Sequence, residues 1–241
     1  TVTARFTPGA SAGGPYSATL NVPHNASGSP STWTMTGMGT SASDPDIAFY
    51  YNADTKGSAI VPQKGTGTVD SAALSLTTGV VGSALQTTGS WQTMNIPTAS
   101  NVTLSTTWTI GFYYKYGAGF VGTVLSKYEG EIAPYLHVAT GDAPNFTFGY
   151  LDAYSSININ LSADTWHFIE ISGDSTSGKA AYRINGGTWS ENTGLTGSPV
   201  TTSYILFGNN NGNTSISYYD QIIFANTYKK DLYSIRNNTS F

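Results

Sequence analysis

The amino-acid sequence predicts an all-β protein built from two packed antiparallel sheets. The clearest sign is the alternation over residues 108–116, where aromatic and aliphatic residues occupy every second position. A second sign is a pair of strands at residues 166–171 and 180–184, the latter ending at Asn185-Gly186, a dipeptide that suits a tight hairpin turn. Further strand patterns recur about every 10 to 12 residues, which is typical of β-sandwiches.

Shorter strand patterns are separated by stretches rich in Gly, Pro, Asn, Asp and Ser. After the first 45 residues, these strands are predicted at residues 46–51, 79–85, 90–96, 121–127, 135–138, 146–151, 204–208 and 216–224. A short helix is predicted around residues 229–235. Trp108 and Trp166, which open the two best-defined strands, are predicted to lie in the core between the sheets.

The composition restricts the partners that this chain can have. Only 10% of the 241 residues are charged, the net charge is −4 and there is no cysteine. Without clustered Lys and Arg a nucleic-acid partner is not expected, and without Cys there is neither a disulfide nor a thiolate metal site. No apolar run reaches the roughly 20 residues of a membrane helix, so we expect no membrane insertion. The 16 tyrosines among abundant hydroxyl and amide side chains are typical of extracellular, cell-surface or virion-surface proteins.

The first 42 residues form a distinct segment rich in Gly, Ser, Thr and Pro, and Asp44-Pro45 favours a turn just after it. Strands are predicted there at residues 3–7, 16–22 and 32–36. The motifs Arg5-Phe-Thr-Pro8, Tyr16-Ser-Ala-Thr-Leu20 and Thr34-Met-Thr-Gly-Met-Gly-Thr40 resemble the closing strands of the bacterial choice-of-anchor D immunoglobulin-like repeat. We therefore predict a partial immunoglobulin-like segment at residues 1–42 and a second domain at residues 43–241.

The second domain carries six motifs in an order that resembles a known family. They are Thr78-Gly-Val-Val-Gly-Ser-Ala-Leu85, Trp108-Thr-Ile-Gly-Phe-Tyr-Tyr114, Asp164-Thr-Trp-His-Phe-Ile-Glu-Ile171, Ala181-Tyr-Arg-Ile-Asn-Gly186, Tyr204-Ile-Leu-Phe-Gly208, and Tyr219-Asp-Gln-Ile-Ile-Phe-Ala-Asn226 followed by Lys230-Asp-Leu-Tyr-Ser-Ile235. This series looks like a laminin-G-like member of the concanavalin A-like jelly-roll superfamily. The chain departs from the family at Gln221, where an acidic residue is usual, and at Tyr114, where Trp is usual.

The resemblance implies a jelly-roll sandwich that acts as a binding or adhesion module for glycans or proteins, in some members with a structural calcium ion. Asp220 matches a family position near that ion and is the first candidate ligand. Asp54 and Asp46 are further candidates, because calcium takes oxygen ligands from carboxylates and carbonyls. The alternative for Asp220 is that its carboxylate accepts main-chain hydrogen bonds and fixes the closing strand.

A glycan ligand needs aromatic rings, which stack on the C–H faces of sugars, and amide groups, which bind their hydroxyls. Aromatic candidates at loops or opposite the predicted core are Tyr113, Tyr128, Tyr154, Trp189 and Tyr218, and amide candidates are Asn209 and Asn211. For each aromatic residue the alternative is packing in the core or at its rim.

No pattern in the sequence indicates catalysis. Glu129 and Glu131 are the nearest approach to the paired carboxylates of a retaining glucanase, but Gly130 and Pro134 indicate a solvated turn. The three histidines have no metal-ligand spacing. We therefore expect a non-enzymatic module that recognises a glycan or another surface ligand. Two alternatives remain: a subunit of a surface filament or virion decoration that assembles with neighbouring chains through residues 1–42, and a glycan-cleaving enzyme.

Overall fold

A computed structural model of the chain describes residues 14–39, 44–98, 101, 104, 106–120, 122–126, 135–138, 145–150, 152–197, 204–209 and 216–236. These residues form 16 β-strands and no helix, so the all-β prediction is confirmed. None of them belongs to a helix long and apolar enough to cross a membrane. The described residues divide into two compact units, residues 14–45 and residues 46–236.

The first unit contains a hairpin of β1 (Gly14–Val22) and β2 (Ser31–Gly39). The strands pair antiparallel from Gly14 opposite Gly39 to Val22 opposite Ser31. In the connecting loop, the imidazole Nε2 of His24 lies 2.8 Å from the Ser31 hydroxyl. The strand predicted at residues 3–7 lies outside the described residues. The immunoglobulin-like character of this unit and its assembly with other chains stay predictions.

The larger sheet of the second unit has eight strands. They are β3 (Ile47–Tyr51), β4 (Ser75–Thr78), β5 (Ser83–Thr87), β7 (Thr107–Tyr116), β12 (His167–Asp174), β13 (Lys179–Ile184), β14 (Ser190–Thr193) and β16 (Ser217–Ala225). Their order is β14-β13-β12-β7-β16-β5-β4, with β3 also paired to β16. All the pairs are antiparallel, and β7 and β12 are central.

The smaller sheet has six strands. They are β6 (Gln92–Pro97), β8 (Gly122–Ser126), β9 (Tyr135–Val138), β10 (Asn145–Tyr150), β11 (Asp152–Asn160) and β15 (Tyr204–Asn209). Their order is β11-β10-β9-β8-β15-β6, again with antiparallel pairing.

The two sheets pack face to face around an aromatic core. The inward residues of β7 include Trp108 and Phe112, which are fully buried. Phe112 meets Phe207 of the smaller sheet edge to face, with 5.1 Å between ring centroids, and Trp108 meets Tyr150 in the same way at 5.2 Å. Edge-to-face contacts at this separation are favourable because the ring edge is positive and the face negative. The prediction that Trp108 lies in the core is confirmed.

The outer face of the larger sheet, which points away from the smaller one, is partly covered by residues 226–236, called here the closing segment. Its backbone amides donate to side chains of the sheet: Lys229 to Ser172, Lys230 to Thr109, and Leu232 and Tyr233 to Glu170. The predicted helix around residues 229–235 is therefore wrong, because these amides bond to the sheet and the segment forms turns.

Candidate functional site

The open part of the outer face carries a row of four side chains from four neighbouring strands. Lys115 of β7 lies opposite Tyr218 of β16, and Tyr218 lies opposite Gln86 of β5. On the other side His167 pairs with Tyr114, which places Trp166, the residue before β12, beside Lys115. Neighbouring strands are about 4.8 Å apart, so the row is about 14 Å long.

Direct contacts hold this row together. The Lys115 ammonium lies 4.2 Å from the centroid of the Tyr218 ring and 5.1 Å from that of Trp166. The two rings meet edge to face at 6.1 Å, and the Gln86 amide donates to the Tyr218 hydroxyl at 3.4 Å. Lys115, Trp166, Tyr218 and Gln86 are all half-buried, so each is packed by its neighbours and still reaches the surface.

Tyr113 and Arg236 extend the row towards the closing segment. The Tyr113 ring packs on Trp166 at 6.4 Å and on Phe168 at 5.0 Å. The Arg236 guanidinium donates from Nε to the Tyr113 hydroxyl at 2.7 Å and lies 3.4 Å from the centroid of the Tyr233 ring. Burial raises the pKa of Tyr113, although Arg236 acts in the opposite direction. Its phenol therefore stays neutral at physiological pH.

We call this surface the shelf. Its members are Gln86, Tyr113, Lys115, Trp166, Tyr218 and Arg236. The prediction that Trp166 lies in the core is wrong. The side chain projects from the outer face because its partners Tyr113, Lys115 and Tyr218 alternate along their strands with the core residues Tyr114, Tyr116 and Tyr219.

The turn between β4 and β5 covers the sheet beside the shelf. Asp220 lies opposite Tyr113 but is fully buried, because its Oδ2 accepts the amides of Val80 at 2.8 Å and Val81 at 3.1 Å. Desolvation raises the pKa of Asp220 to about 6, against the lowering effect of these hydrogen bonds. The segment at 79–82 was predicted as part of a strand and is instead the turn that caps this carboxylate.

Asp54 is bound to the same turn. Its Oδ1 accepts the Ser83 amide at 2.7 Å, and its Oδ2 accepts the Asn52 side-chain amide at 2.7 Å. The third proposed calcium ligand, Asp46, pairs with the Lys230 ammonium at 2.8 Å.

The partners of Asp220 and Asp54 are N–H donors, which do not suit a cation because their hydrogens point at the same carboxylate oxygens. Among the described residues, no three acidic or histidine side chains cluster as a metal site would require. These contacts match the main-chain role considered for Asp220, and calcium binding stays a prediction.

The structure places the remaining candidates in different parts of the second unit. Trp189 lies outside the shelf, with its ring centroid 4.8 Å from the Arg183 guanidinium carbon. Tyr154 is in β11 and Asn209 ends β15, both in the smaller sheet. Tyr128 and Asn211 lie outside the described residues, as do Glu129 and Glu131. Of the seven predicted ligand-binding residues, the structure brings together Tyr113 and Tyr218.

Four members of the shelf were not singled out from the sequence as ligand-binding residues: Gln86, Lys115, Trp166 and Arg236. The signal for Lys115 was present, since it is the single charged residue in a strand with five aromatic residues. Trp91, in the turn between β5 and β6, was also missed. It is 61% exposed with a backbone φ of 58°, a conformation that bulky residues rarely adopt.

An open groove lies beyond the C-terminal end of β7. Its cavity volume is about 340 Å³, and it is lined by Tyr116, Ala118, Gly119, Asn160, Leu161, Ser162 and Ala163. The Tyr116 hydroxyl donates to the Leu161 carbonyl at 2.7 Å and closes the floor of this groove. The loop of residues 161–165 leads directly from the groove into Trp166 of the shelf.

The chain matches no protein-family model, and no curated protein matches it. Solved structures do resemble it. The binding domain of Paraclostridial Mosquitocidal Protein 1 superposes with a TM-score of 0.60 at 13% identity, covering 80% of this chain and 51% of that one. The botulinum neurotoxin serotype D ligand-binding domain in complex with N-acetylneuraminic acid gives 0.62 at 13% identity, covering 80% and 51%.

A third similar structure is Trypanosoma rangeli sialidase in complex with 2,3-difluorosialic acid. It gives a TM-score of 0.61 at 11% identity and covers 83% of this chain and 35% of that one. The chain thus spans about half the length of the two binding domains and about a third of the sialidase. At these identities the likeness shows the fold alone, which is a two-sheet antiparallel β-sandwich.

Proposed function

We propose that residues 46–236 form a non-enzymatic binding module that recognises a glycan on the shelf. The carrying observation is the row of Trp166, Lys115, Tyr218 and Gln86, which offers aromatic rings, a cation and an amide side by side. Sugars combine apolar C–H faces with dense hydroxyl groups, so rings that pack against the faces and polar groups that bind the hydroxyls suit them. Binding sites for small ligands commonly combine apolar surfaces with a few polar groups in this way.

Two further observations support the proposal. The row is held by contacts among its own members, so little side-chain freedom is lost on binding. The serotype D neurotoxin domain and the sialidase, whose folds resemble this one, were solved with N-acetylneuraminic acid and a difluorosialic acid respectively. We further propose that the module works outside the cell and belongs to the laminin-G-like group of jelly rolls, which its six ordered motifs resemble.

The shelf favours binding over chemistry because its polar side chains are an amide, two phenols and two basic groups. Paired carboxylates, which glycoside hydrolysis uses, are absent from this set, and the nearby Asp220 is covered by the β4–β5 turn. Removing that turn would be required before its carboxylate could contact a ligand.

A glycan array tests the proposal with wild-type protein, W166A, Y218A and W91A. We expect the wild type to retain a defined set of glycans, and W166A and Y218A each to weaken retention by roughly tenfold or more. W91A is the control, since it removes an exposed indole outside the shelf. Circular dichroism verifies that each variant is folded. Full retention by both W166A and Y218A, or no retained glycan for the wild type, contradicts the proposal.

A further inference from the structure

We propose that the shelf selects acidic glycans, with the Lys115 ammonium binding a carboxylate or sulfate group of a sugar packed on Trp166 and Tyr218. This inference depends on the proposed function and narrows its ligand class. It follows from the distribution of charge among the described residues.

Three of the positively charged side chains on or beside the larger sheet form ion pairs with carboxylates. Arg183 pairs with Glu170 and Asp231, Lys229 pairs with Glu191, and Lys230 pairs with Asp46. The positive charge of each of these three side chains is therefore balanced by a carboxylate.

Lys115 and Arg236 differ from these pairs. Among the described residues, the contacts of the Lys115 ammonium are the rings of Trp166 and Tyr218. Arg236 bonds to the Tyr113 hydroxyl and the Tyr233 carbonyl, both uncharged. In a chain with a net charge of −4 and only 10 Lys and Arg, two cations on one surface that have no carboxylate partner in the described part of the chain mark a local positive site.

The position of Lys115 is already set for an anion. The flanking rings attract the ammonium through their negative faces and hold it in the middle of the row. A carboxylate would accept hydrogen bonds from the three N–H donors of the ammonium, whereas the rings leave these donors available. An arriving anion can accept these hydrogen bonds while the sugar ring packs on Trp166 or Tyr218, and a charge-assisted hydrogen bond is about twice as strong as a neutral one.

Arg236 supplies a second cation on the same side. Tyr113 and Lys115 are two residues apart on one face of β7, so their Cα atoms are about 7 Å apart, and Arg236 is bonded to Tyr113. Two cations this close favour a ligand with repeated or branched acidic groups over an isolated anion.

Three pairs of probes compare an acidic glycan with a neutral counterpart. They are polygalacturonate and its methyl ester, sialyllactose and lactose, and dextran sulfate and dextran. The first two pairs report on carboxylates and the third on sulfate. Dissociation constants are measured by calorimetry at low and at physiological salt for wild type, K115M, K115R, K179M and W166A.

We expect the wild type to bind at least one acidic member roughly tenfold more tightly than its neutral counterpart, with the preference weakening as salt is raised. K115M keeps the length of the side chain and should lose this preference, whereas K115R should keep it. K179M makes the same change in net charge elsewhere on the sheet and should bind as the wild type does. W166A should weaken both members of the pair.

Several outcomes overturn the inference. If K115M still prefers the acidic member of a pair, or if K179M loses that preference as much as K115M does, the preference reflects general attraction between charges. Equal binding of neutral and acidic members leaves glycan binding intact and removes the selectivity. Binding to none of the probes overturns the acidic class, and the array then decides the function by itself. Binding to phosphatidylserine vesicles without any acidic glycan assigns the cations to a lipid surface.

Discussion

Glu170 and Arg183 face each other across β12 and β13 and form a buried bidentate ion pair. Arg183 donates from Nε and Nη2 to the two carboxylate oxygens at 2.6 and 2.8 Å. Oε1 of Glu170 also accepts the amides of Leu232 at 2.8 Å and Tyr233 at 3.0 Å. Burial raises the pKa of Glu170, although Arg183 and the two amides oppose this change. One carboxylate therefore joins the larger sheet to the closing segment.

Replacing Glu170 by Ala should lower the free energy of unfolding by about 3 to 5 kcal/mol, because Arg183 and two amides lose a buried partner. D231A is the comparison. Asp231 also pairs with Arg183, but its side chain is 58% exposed, so its loss should cost less than about 1 kcal/mol. Urea unfolding of both variants measures the difference. Equal losses would show that the buried pair is not what holds the closing segment.

Two glycines with similar backbone angles should respond differently to alanine. Gly186 has φ of 72° and Gly194 has φ of 75°, so both substitutions carry the strain of a left-handed residue, about 1 kcal/mol. At Gly186, however, the new Cβ would lie 2.3 Å from the Tyr233 ring, whereas nothing lies within 4 Å at Gly194. We expect G186A to cost clearly more than G194A in chemical unfolding. If the two cost the same, Tyr233 is not packed on this turn.

The carboxyl group of Asp220 should make stability depend on pH in an unusual direction. Its folded pKa of about 6 lies above the ordinary value near 3.8, so the folded state binds the proton more tightly than the unfolded state. Stability from this group is therefore complete below about pH 4 and is lost as pH rises through 6, by up to about 3 kcal/mol.

The variant D220N isolates this effect because it removes the titrating group and keeps the size of the side chain. The stability of the wild type minus that of D220N should increase as pH falls from 7 to 4, as followed by urea titrations. Other titrating groups cancel in the difference. A difference that stays constant over this range would contradict the raised pKa.

Substitution of two tryptophans should distinguish a residue needed for stability from a residue needed for binding. W108A removes a fully buried ring and should destabilise the fold by about 3 to 5 kcal/mol. W166A removes a half-buried ring from the outer face and should cost much less, while glycan retention falls. Thermal melts and the array, run on the same samples, give both quantities. A severe loss of stability in W166A would assign that ring to structure.

The calcium prediction for Asp220, Asp54 and Asp46 is open to a melting experiment. A cation that binds only the folded state raises the midpoint, by an amount that grows with its concentration. If the predicted site binds calcium, the midpoint in calcium exceeds that in EDTA, magnesium has less effect, and D54N loses the increase. The same midpoint in calcium and in EDTA would contradict calcium binding by these carboxylates.

The core and the main hairpin were predictable from local pattern. Alternation along β7 places Trp108 and Phe112 inward, as observed. Asn185 and Gly186 have positive φ angles of 51° and 72°, as the turn dipeptide predicts. These features depend on neighbouring residues, which is why one sequence contains enough information to find them.

The wrong predictions concern features that are determined by residues far apart in the sequence. Seven of the eight residues of β12 are buried, because the closing segment covers its outer face while the smaller sheet covers the inner one. The apolar character of β12 therefore does not indicate on which face of the sheet the Trp166 side chain lies. Likewise Val80 and Val81 are residues typical of a strand, but they form a turn. Their amides donate to the carboxylate of Asp220, some 140 positions further along the chain.

The four residues of the row come from positions 86, 115, 166 and 218, so no short peptide contains the shelf. It exists only when β5, β7, β12 and β16 have assembled in register, and a ligand that occupies it must favour the native chain over every partly folded form. A rise in melting temperature is therefore a label-free report of occupancy. Compound or polysaccharide libraries can be screened in this way before any ligand is known.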